Sequence, residues 1–200
     1  MNFKRFFFFS IILLVFVSIK GQQNSINGLV KRCSFYQAGI QLGLPFQNEL
    51  LPEGKYIPIL LQTNFDFNLR RKKTLTQTKN KFFFYLEPYF TPVVIKNLTP
   101  SYEVGINIGF KYAFYFNSRS TIKLNIGSGP QFQAFNSKRQ VSGYIFSDNV
   151  GLSYQYNFSN NPLFLNIGYR FRHISNLDIK LPNKGIDTHF IIIGLGWNRL

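Results

Sequence analysis

The stretch RHISNLDIKLPNKGID, from Arg172 to Asp187, carries a histidine, a serine and an aspartate at a spacing that could support ester hydrolysis. His173 and Ser175 are two residues apart, so on a β-strand they share one face, with their Cα atoms about 7 Å apart. Asp187 would lie across from them if the chain returned as an adjacent antiparallel strand. A serine nucleophile, a histidine base and a carboxylate that fixes the imidazole form a Ser-His-acid site.

The chain starts with the features of an export signal. Lys4 and Arg5 precede an apolar run from Phe6 to Ile19, and Gly21 offers a small residue before a cleavage point. That run is shorter than the roughly 18 apolar residues that a membrane-spanning helix needs. We therefore predict a signal peptide over residues 1–21 and one exported domain over residues 22–200. A short membrane anchor is the alternative interpretation.

The net charge of +15 indicates that the protein lies beside anionic groups of a partner or of a membrane. For an exported protein these are lipid phosphates, and no nucleic-acid partner is expected. The basic run from Leu69 to Lys81 is interpreted as a solvated turn, because charge alone does not choose a partner. The single cysteine, Cys33, excludes an intrachain disulfide, and no Cys/His zinc spacing is present. We expect neither a metal nor an organic cofactor.

The segment SYEVGINIGFKYAFYF, residues 101–116, alternates strictly between two kinds of side chain. Its odd positions are mostly small or polar, whereas its even positions are all apolar: Tyr102, Val104, Ile106, Ile108, Phe110, Tyr112, Phe114 and Phe116. Successive side chains of a strand point to opposite faces, so this pattern predicts a strand with one wholly apolar face.

Seven other segments fit the same pattern less cleanly, and turn-forming stretches separate them. They are roughly residues 34–45, 56–69, 81–95, 120–135, 141–158, 162–175 and 186–197. Eight long strands, an aromatic content of 18% and an export signal predict an all-β, eight-stranded antiparallel transmembrane barrel of the outer membrane. A soluble lipocalin-like barrel, with its apolar face inward, is the alternative.

The alternation also predicts where the candidate site residues lie. In the seventh segment, His173 and Ser175 share the phase of the apolar, lipid-facing side chains, as Asp187 does in the eighth. With a periplasmic N-terminus, the loop between these two segments lies outside the cell. The alternative is that the alternation ends near Tyr169 and leaves ordinary loop residues there.

Two further residues are candidates for the same surface. Asp148 shares the lipid-facing phase of its segment, so it is either the working carboxylate or a supporting one, unless a β-bulge turns it inward. His189 lies two residues after Asp187 in the same phase. A metal site of His173, Asp187 and His189 is the less favoured alternative, because catalytic zinc sites need firmer spacing.

The motif HISNLDIKLPNKGID resembles the signature of the lipid A 3-O-deacylases, the PagL-type family of outer-membrane enzymes. The resemblance rests on residue types and spacing that occur here as His173, Ser175, Asn176, Pro182, Asn183, Gly185 and Asp187. The acidic position holds Asp187, whereas the best-known members have glutamate. The chain also ends in GWNRL rather than on a terminal aromatic residue.

The resemblance implies a serine esterase in the outer membrane of a Gram-negative cell, which removes the 3-O-linked acyl chain from lipid A on the lipid-facing surface of an eight-stranded barrel. Lipid A, or lipopolysaccharide, would be the substrate, and a homodimer is left open. Asn176, with nearby backbone N–H groups, is a candidate oxyanion donor. The alternatives are a non-catalytic structural or binding barrel and a phospholipase-type esterase.

Overall fold

The computed structural model describes residues 33–69, 80–96, 98–159 and 161–199. The predicted signal peptide, residues 1–21, and most of the basic run between Leu69 and Lys81 lie outside the described residues, so both interpretations stay predictions. Within the described ranges, no helix is long and apolar enough to cross a membrane.

The regular structure in these ranges consists of ten β-strands. They are β1 (Cys33–Asn48), β2 (Leu50–Leu51), β3 (Gly54–Pro58), β4 (Leu60–Leu69), β5 (Asn80–Ile95), β6 (Ser101–Tyr115), β7 (Ser120–Gln133), β8 (Gly143–Asn157), β9 (Leu163–Ser175) and β10 (Ile186–Asn198). β1 pairs with β4 and β10, and β5 pairs with β4 and β6, so β1 and β4 to β10 close into a ring. The predicted eight-stranded antiparallel barrel is confirmed.

The second predicted strand, residues 56–69, is the one whose course differs from the prediction. It is divided into β3 and β4 at Ile59, and the tiny β2 precedes it. β4 pairs with both β1 and β5, whereas β3 pairs with β5 and with β2. The break falls at Ile59, whose N–H still donates to the Pro92 carbonyl at 3.0 Å.

The apolar face of the barrel points outward. On β6, Val104, Ile108 and Phe110 are more than 40% exposed, whereas the alternating Glu103 and Lys111 are buried. A soluble barrel with an apolar interior would show the opposite pattern. The outward face therefore suits a bilayer, and the closed ring satisfies the backbone groups that hydrocarbon cannot.

The interior is filled by paired charges. Asp66 and Glu87 share Lys111, at 2.8 and 3.0 Å, and Glu87 also binds Arg170 at 2.7 Å. The cavity between Glu87, Lys111 and Arg170 holds about 20 Å³, room for about one water molecule. Around these three residues, the described part of the interior is therefore packed with paired polar side chains.

A second interior ion pair lies directly behind the candidate site. Arg172 donates to Glu103 Oε2 at 2.8 Å and to the Tyr56 hydroxyl at 2.7 Å, and the Tyr56 hydroxyl in turn donates to Glu103. Arg172 is 1% exposed and Glu103 is fully buried. This network fixes the β9 backbone one residue before His173.

Replacing Glu103 with glutamine should lower the free energy of unfolding by about 3–5 kcal/mol, because it leaves the buried Arg172 without its carboxylate. Urea unfolding of the barrel inserted in lipid vesicles measures this change. A loss below about 1 kcal/mol would mean that the pair with Tyr56 alone satisfies Arg172.

Apolar side chains close the loop end of the barrel, which carries the loops of residues 49–53, 134–142 and 176–185. The closing cluster consists of Leu51, Tyr56, Val93, Ile95, Phe135, Ile145, Ile174 and Ile186, each at most 5% exposed. Ile174 and Ile186 are the immediate chain neighbours of His173 and Asp187. Their burial inside the barrel forces the two polar side chains to the outside.

Candidate active site

The site lies on the outward face of β8, β9 and β10, near the loop end. His173 pairs in register with Asp187 on β10 and with Asp148 on β8. The His173 side chain is 33% exposed and that of Asp187 46%, whereas Arg172 and Thr188, on the opposite face, are buried. The structure thus places His173 and its two acidic neighbours in one row across three strands.

His173 and Asp187 are joined by a hydrogen bond of 2.6 Å between Nδ1 and Oδ1. With Nδ1–H as the donor, the carboxylate fixes one tautomer and leaves Nε2 as an acceptor that can take a proton. A carboxylate at this distance also stabilises the imidazolium that forms when Nε2 is protonated. The pair therefore has the geometry of a base and its orienting acid.

Ser175 lies on the same outward face, two residues after His173 and at the end of β9, where it pairs with Phe146. It is partly exposed. In the described structure, no hydrogen bond joins Ser175 Oγ to His173. The hydroxyl and the imidazole are neighbours along one strand face, and such contacts commonly tighten when substrate is bound.

Asp148 also faces outward. The β8–β9 pairing runs without a shift from Phe146 to Asn157, so the bulge that would turn Asp148 inward is absent from this described pair of strands. Its partner on the other side is Ser128 of β7. Asp187 contacts the imidazole Nδ1, whereas Asp148 flanks His173 from the opposite strand. The geometry therefore favours Asp187 as the orienting carboxylate and Asp148 as a supporting charge.

The distribution of acidic side chains sets this row apart. The sequence holds eight Asp and Glu residues. Three of them, Asp66, Glu87 and Glu103, are buried in the interior, and Glu49, Glu53 and Asp178 lie in loops. The two on the outward face of the strands, Asp148 and Asp187, both flank His173. Charge on a lipid-facing surface is costly, which points to a function at this row.

The loop after Ser175 is ordered by its own asparagines. The Asn176 backbone N–H donates to Asn183 Oδ1 at 2.9 Å, and Asn176 Nδ2 donates to the Lys180 carbonyl at 2.6 Å. Asn183 in turn donates to Asp178 at 3.0 Å, and Pro182 precedes it, half-buried. Asn176 is 3% exposed. The Asn176 side-chain amide thus donates to a carbonyl of its own loop. The role of Asn176 as an oxyanion donor stays a prediction.

Gly185 lies against the imidazole of His173. Its φ is +69°, a conformation that favours glycine. A Cβ atom added there would lie 2.5 Å from His173 Cε1 and 3.1 Å from Nε2. The His173 ring can therefore occupy this position because Gly185 has no side chain.

Changing Gly185 to alanine should lower the rate of the ester hydrolysis that the sequence predicts about 100-fold, because the new methyl group displaces the His173 ring. Steady-state kinetics on purified protein measures the change. Gly143→Ala is the matched control: Gly143 has a φ of +126°, but a Cβ there meets nothing within 4 Å. Equal losses in both variants would show that backbone strain alone is responsible.

His189, the second histidine, is occupied elsewhere on the same face. Its Nδ1 shares a 2.8 Å hydrogen bond with the Tyr169 hydroxyl, and its ring lies 5.2 Å from that of Phe171 and 6.0 Å from that of Phe46. Among the described residues, no group of three His, Cys, Asp or Glu side chains is arranged to hold a metal ion.

Glu49 is a site neighbour that the sequence does not reveal. Its carboxylate accepts the Asp187 backbone N–H at 3.3 Å, and the two residues are 138 positions apart along the chain. No local motif marks such a contact. Only the pairing of β1 with β10 brings the two residues together.

The chain is similar to known proteins in both sequence and structure. The sequence model of the family described as "Lipid A 3-O-deacylase (PagL)" matches residues 58–196. No curated protein matches the chain significantly. The crystal structure of the outer-membrane enzyme PagL is similar at 16% identity and a TM-score of 0.52, covering 79% of this chain and 97% of that one.

Two other outer-membrane barrels share the fold. Neisserial surface protein A has a TM-score of 0.55 at 14% identity, covering 84% of this chain and 99% of its own. Ail, the attachment invasion locus protein of Yersinia pestis, has a TM-score of 0.51 at 13% identity, covering 84% and 98%. At identities this low, the similarity shows a shared fold and carries no information about a shared activity.

The fold defines the class of protein: an eight-stranded antiparallel β-barrel, the architecture of the outer-membrane proteins to which it is similar. The sequence match covers well over half of the chain and includes the whole of β9 and nearly all of β10. The chain belongs to the lipid A 3-O-deacylase (PagL) family.

Proposed function

We propose that this protein hydrolyses the ester that links the acyl chain at position 3 of lipid A, with Ser175 as nucleophile and His173 as base. The observation that carries the proposal is the hydrogen-bonded His173–Asp187 pair, which faces the bilayer beside Ser175. Membership of the lipid A 3-O-deacylase family supports the substrate and the position of the bond.

The reaction takes two steps. His173 Nε2 accepts the Ser175 proton as Oγ attacks the acyl carbonyl, and the protonated imidazole then gives that proton to the departing lipid A hydroxyl. The acyl group remains on Ser175 as an ester. Water then attacks this ester while the same imidazole takes a proton from it. The imidazolium gives that proton to Ser175 Oγ as the bond to the acyl group breaks and the fatty acid leaves. Asp187 keeps the ring in the required tautomer through both steps.

The surface around the site suits a lipid substrate. Below the row, the outward face continues with the exposed apolar side chains of Val150, Tyr169 and Ile191, which would contact the acyl chains. Above it, Lys180 and Lys184 of the β9–β10 loop are exposed and lie where the substrate phosphates would be. An ester between phosphates and acyl chains would therefore reach Ser175 without leaving the membrane.

Mass spectrometry of lipids from Gram-negative cells with and without the protein tests this proposal. Lipid A should lose the mass of one hydroxyacyl chain, and phospholipids should keep all their chains. Loss of chains from phospholipids instead would favour the phospholipase alternative. No change in either lipid would favour a non-catalytic barrel.

A further inference from the structure

Asp187 lies at a weak point of the sheet. It is the second residue of β10, and the ladder with β1 begins one residue later, at Thr188 and Asn48. On its other side Asp187 pairs with His173 of β9. This end of β10 therefore has a regular partner on one side only, and such an end frays more readily than a strand interior. The carboxylate that orients His173 is therefore attached to backbone that the β1–β10 ladder does not hold.

Glu49, the first residue after β1, holds that backbone. Its N–H donates to the Asp187 carbonyl at 3.3 Å, and its side-chain Oε2 accepts the Asp187 N–H, also at 3.3 Å. In a regular antiparallel pair, a backbone carbonyl would accept that N–H. The Glu49 carboxylate takes the place of the carbonyl and extends the ladder by one residue.

Arg139, from the loop between β7 and β8, fixes the other carboxylate oxygen. Its Nη1 lies 2.8 Å from Glu49 Oε1, and its own carbonyl accepts the Lys184 N–H at 2.9 Å. Both side chains are about 70% buried, at 27% and 30% exposure. Glu49 and Arg139 thus join the loops that begin at β1, β7 and β9 around Asp187.

We propose that Glu49 is a positioning residue that holds Asp187 against His173, and that Arg139 serves by fixing Glu49. The expected loss of kcat rests on the proposed function. The expected displacement of Asp187 from His173 rests only on the described contacts. The acceptor oxygen of Glu49 is the essential feature, because it binds the Asp187 N–H, and its charge matters less.

Three variants separate these properties. Glu49→Met keeps the length of the side chain but removes both oxygens, and should lower kcat about 10- to 100-fold with KM changed less than about twofold. Glu49→Gln keeps an acceptor and should retain kcat within about threefold of the wild type. Glu53→Met is the control, since Glu53 lies in the same hairpin and accepts the Lys138 N–H at 2.7 Å.

A second measurement does not depend on activity. The chain has two histidines, His173 and His189, so ¹⁵N-histidine labelling in micelles gives few resonances, and a His189→Gln variant assigns them. The hydrogen-bonded His173 Nδ1–H should be observed in the wild type, Glu49→Gln and Glu53→Met, and lost by exchange in Glu49→Met.

The outcomes are distinct. Wild-type kcat in Glu49→Met, or an unchanged Nδ1–H resonance, would overturn the positioning role. A rise in KM alone would instead make Glu49 a substrate contact, and a loss that only follows the folded fraction on unheated gels would make it structural. If the wild type shows the resonance but hydrolyses no lipid A, the proposed function fails and the positioning role stands on the resonance.

Discussion

Replacement of Ser175 by alanine should reduce release of hydroxy fatty acid from lipid A by at least about 1,000-fold, while the barrel folds normally. Loss of a nucleophile removes the covalent pathway and leaves only the assistance of the surrounding groups. Ser175 is partly exposed at the end of β9, outside the packed interior, so its removal opens no cavity there. Purified protein in mixed micelles with lipid A provides the measurement.

Thr63→Ala is the matched control for that experiment. Thr63 lies on β4 in the outward phase, between the buried Gln62 and Asn64, and it is remote from β9. Removing its hydroxyl should leave the rate within about twofold of the wild type, because nothing in the mechanism uses it. Retention of activity in Ser175→Ala would exclude Ser175 as the nucleophile and turn the search to a water activated by His173.

The second large effect is expected from Asp187. Its change to asparagine should lower kcat about 1,000- to 10,000-fold, because the amide favours the wrong imidazole tautomer and no longer stabilises the imidazolium. Asp187→Glu should retain most of the activity, since a longer carboxylate still reaches Nδ1. Rates of lipid A hydrolysis for the two variants, each checked for folding on unheated gels, give the comparison.

Asp148→Asn is the informative counterpart to that variant. Asp148 flanks His173 from β8, but Asp187 makes the hydrogen bond to Nδ1. Its neutralisation should therefore cost about tenfold, through the weaker stabilisation of the imidazolium that a nearby charge supplies. If Asp148→Asn were the more damaging of the two, the assignment of the orienting carboxylate would be reversed.

Much of the fold could be predicted because period-two alternation directly reports the two faces of a strand. Where one face is wholly apolar, as on β6, the ends of the strand agree with the prediction to within one residue. The break at Ile59 was not predicted, because the period of two continues across it. On β10 the inward phase is not polar throughout, because Phe190 and Ile192 are buried inside the barrel with Leu60 and Tyr89.

Only those features of the site that follow from the strand alternation and from the local motif could be predicted from the sequence. His173 and Ser175 are close in sequence, and their phase together with that of Asp187 placed all three on one face. The row with Asp148 depends on the β8–β9 register, and the Glu49 contact depends on the closure between β1 and β10. The β8–β9 register depends on the conformation of the short turn between the two strands, and the β1–β10 register follows from closure of the whole ring, so strand alternation alone contains neither.

Covalent labelling tests most directly whether Ser175 is an activated nucleophile on the bilayer-facing surface. A p-nitrophenyl alkylphosphonate should form a Ser175 Oγ–phosphorus bond and release p-nitrophenolate, while His173 takes the hydroxyl proton. Peptide mass spectrometry of the folded barrel should find one adduct, at Ser175, and none in His173→Ala. A folded wild-type barrel without an adduct, or with its adduct on another residue, would contradict the account.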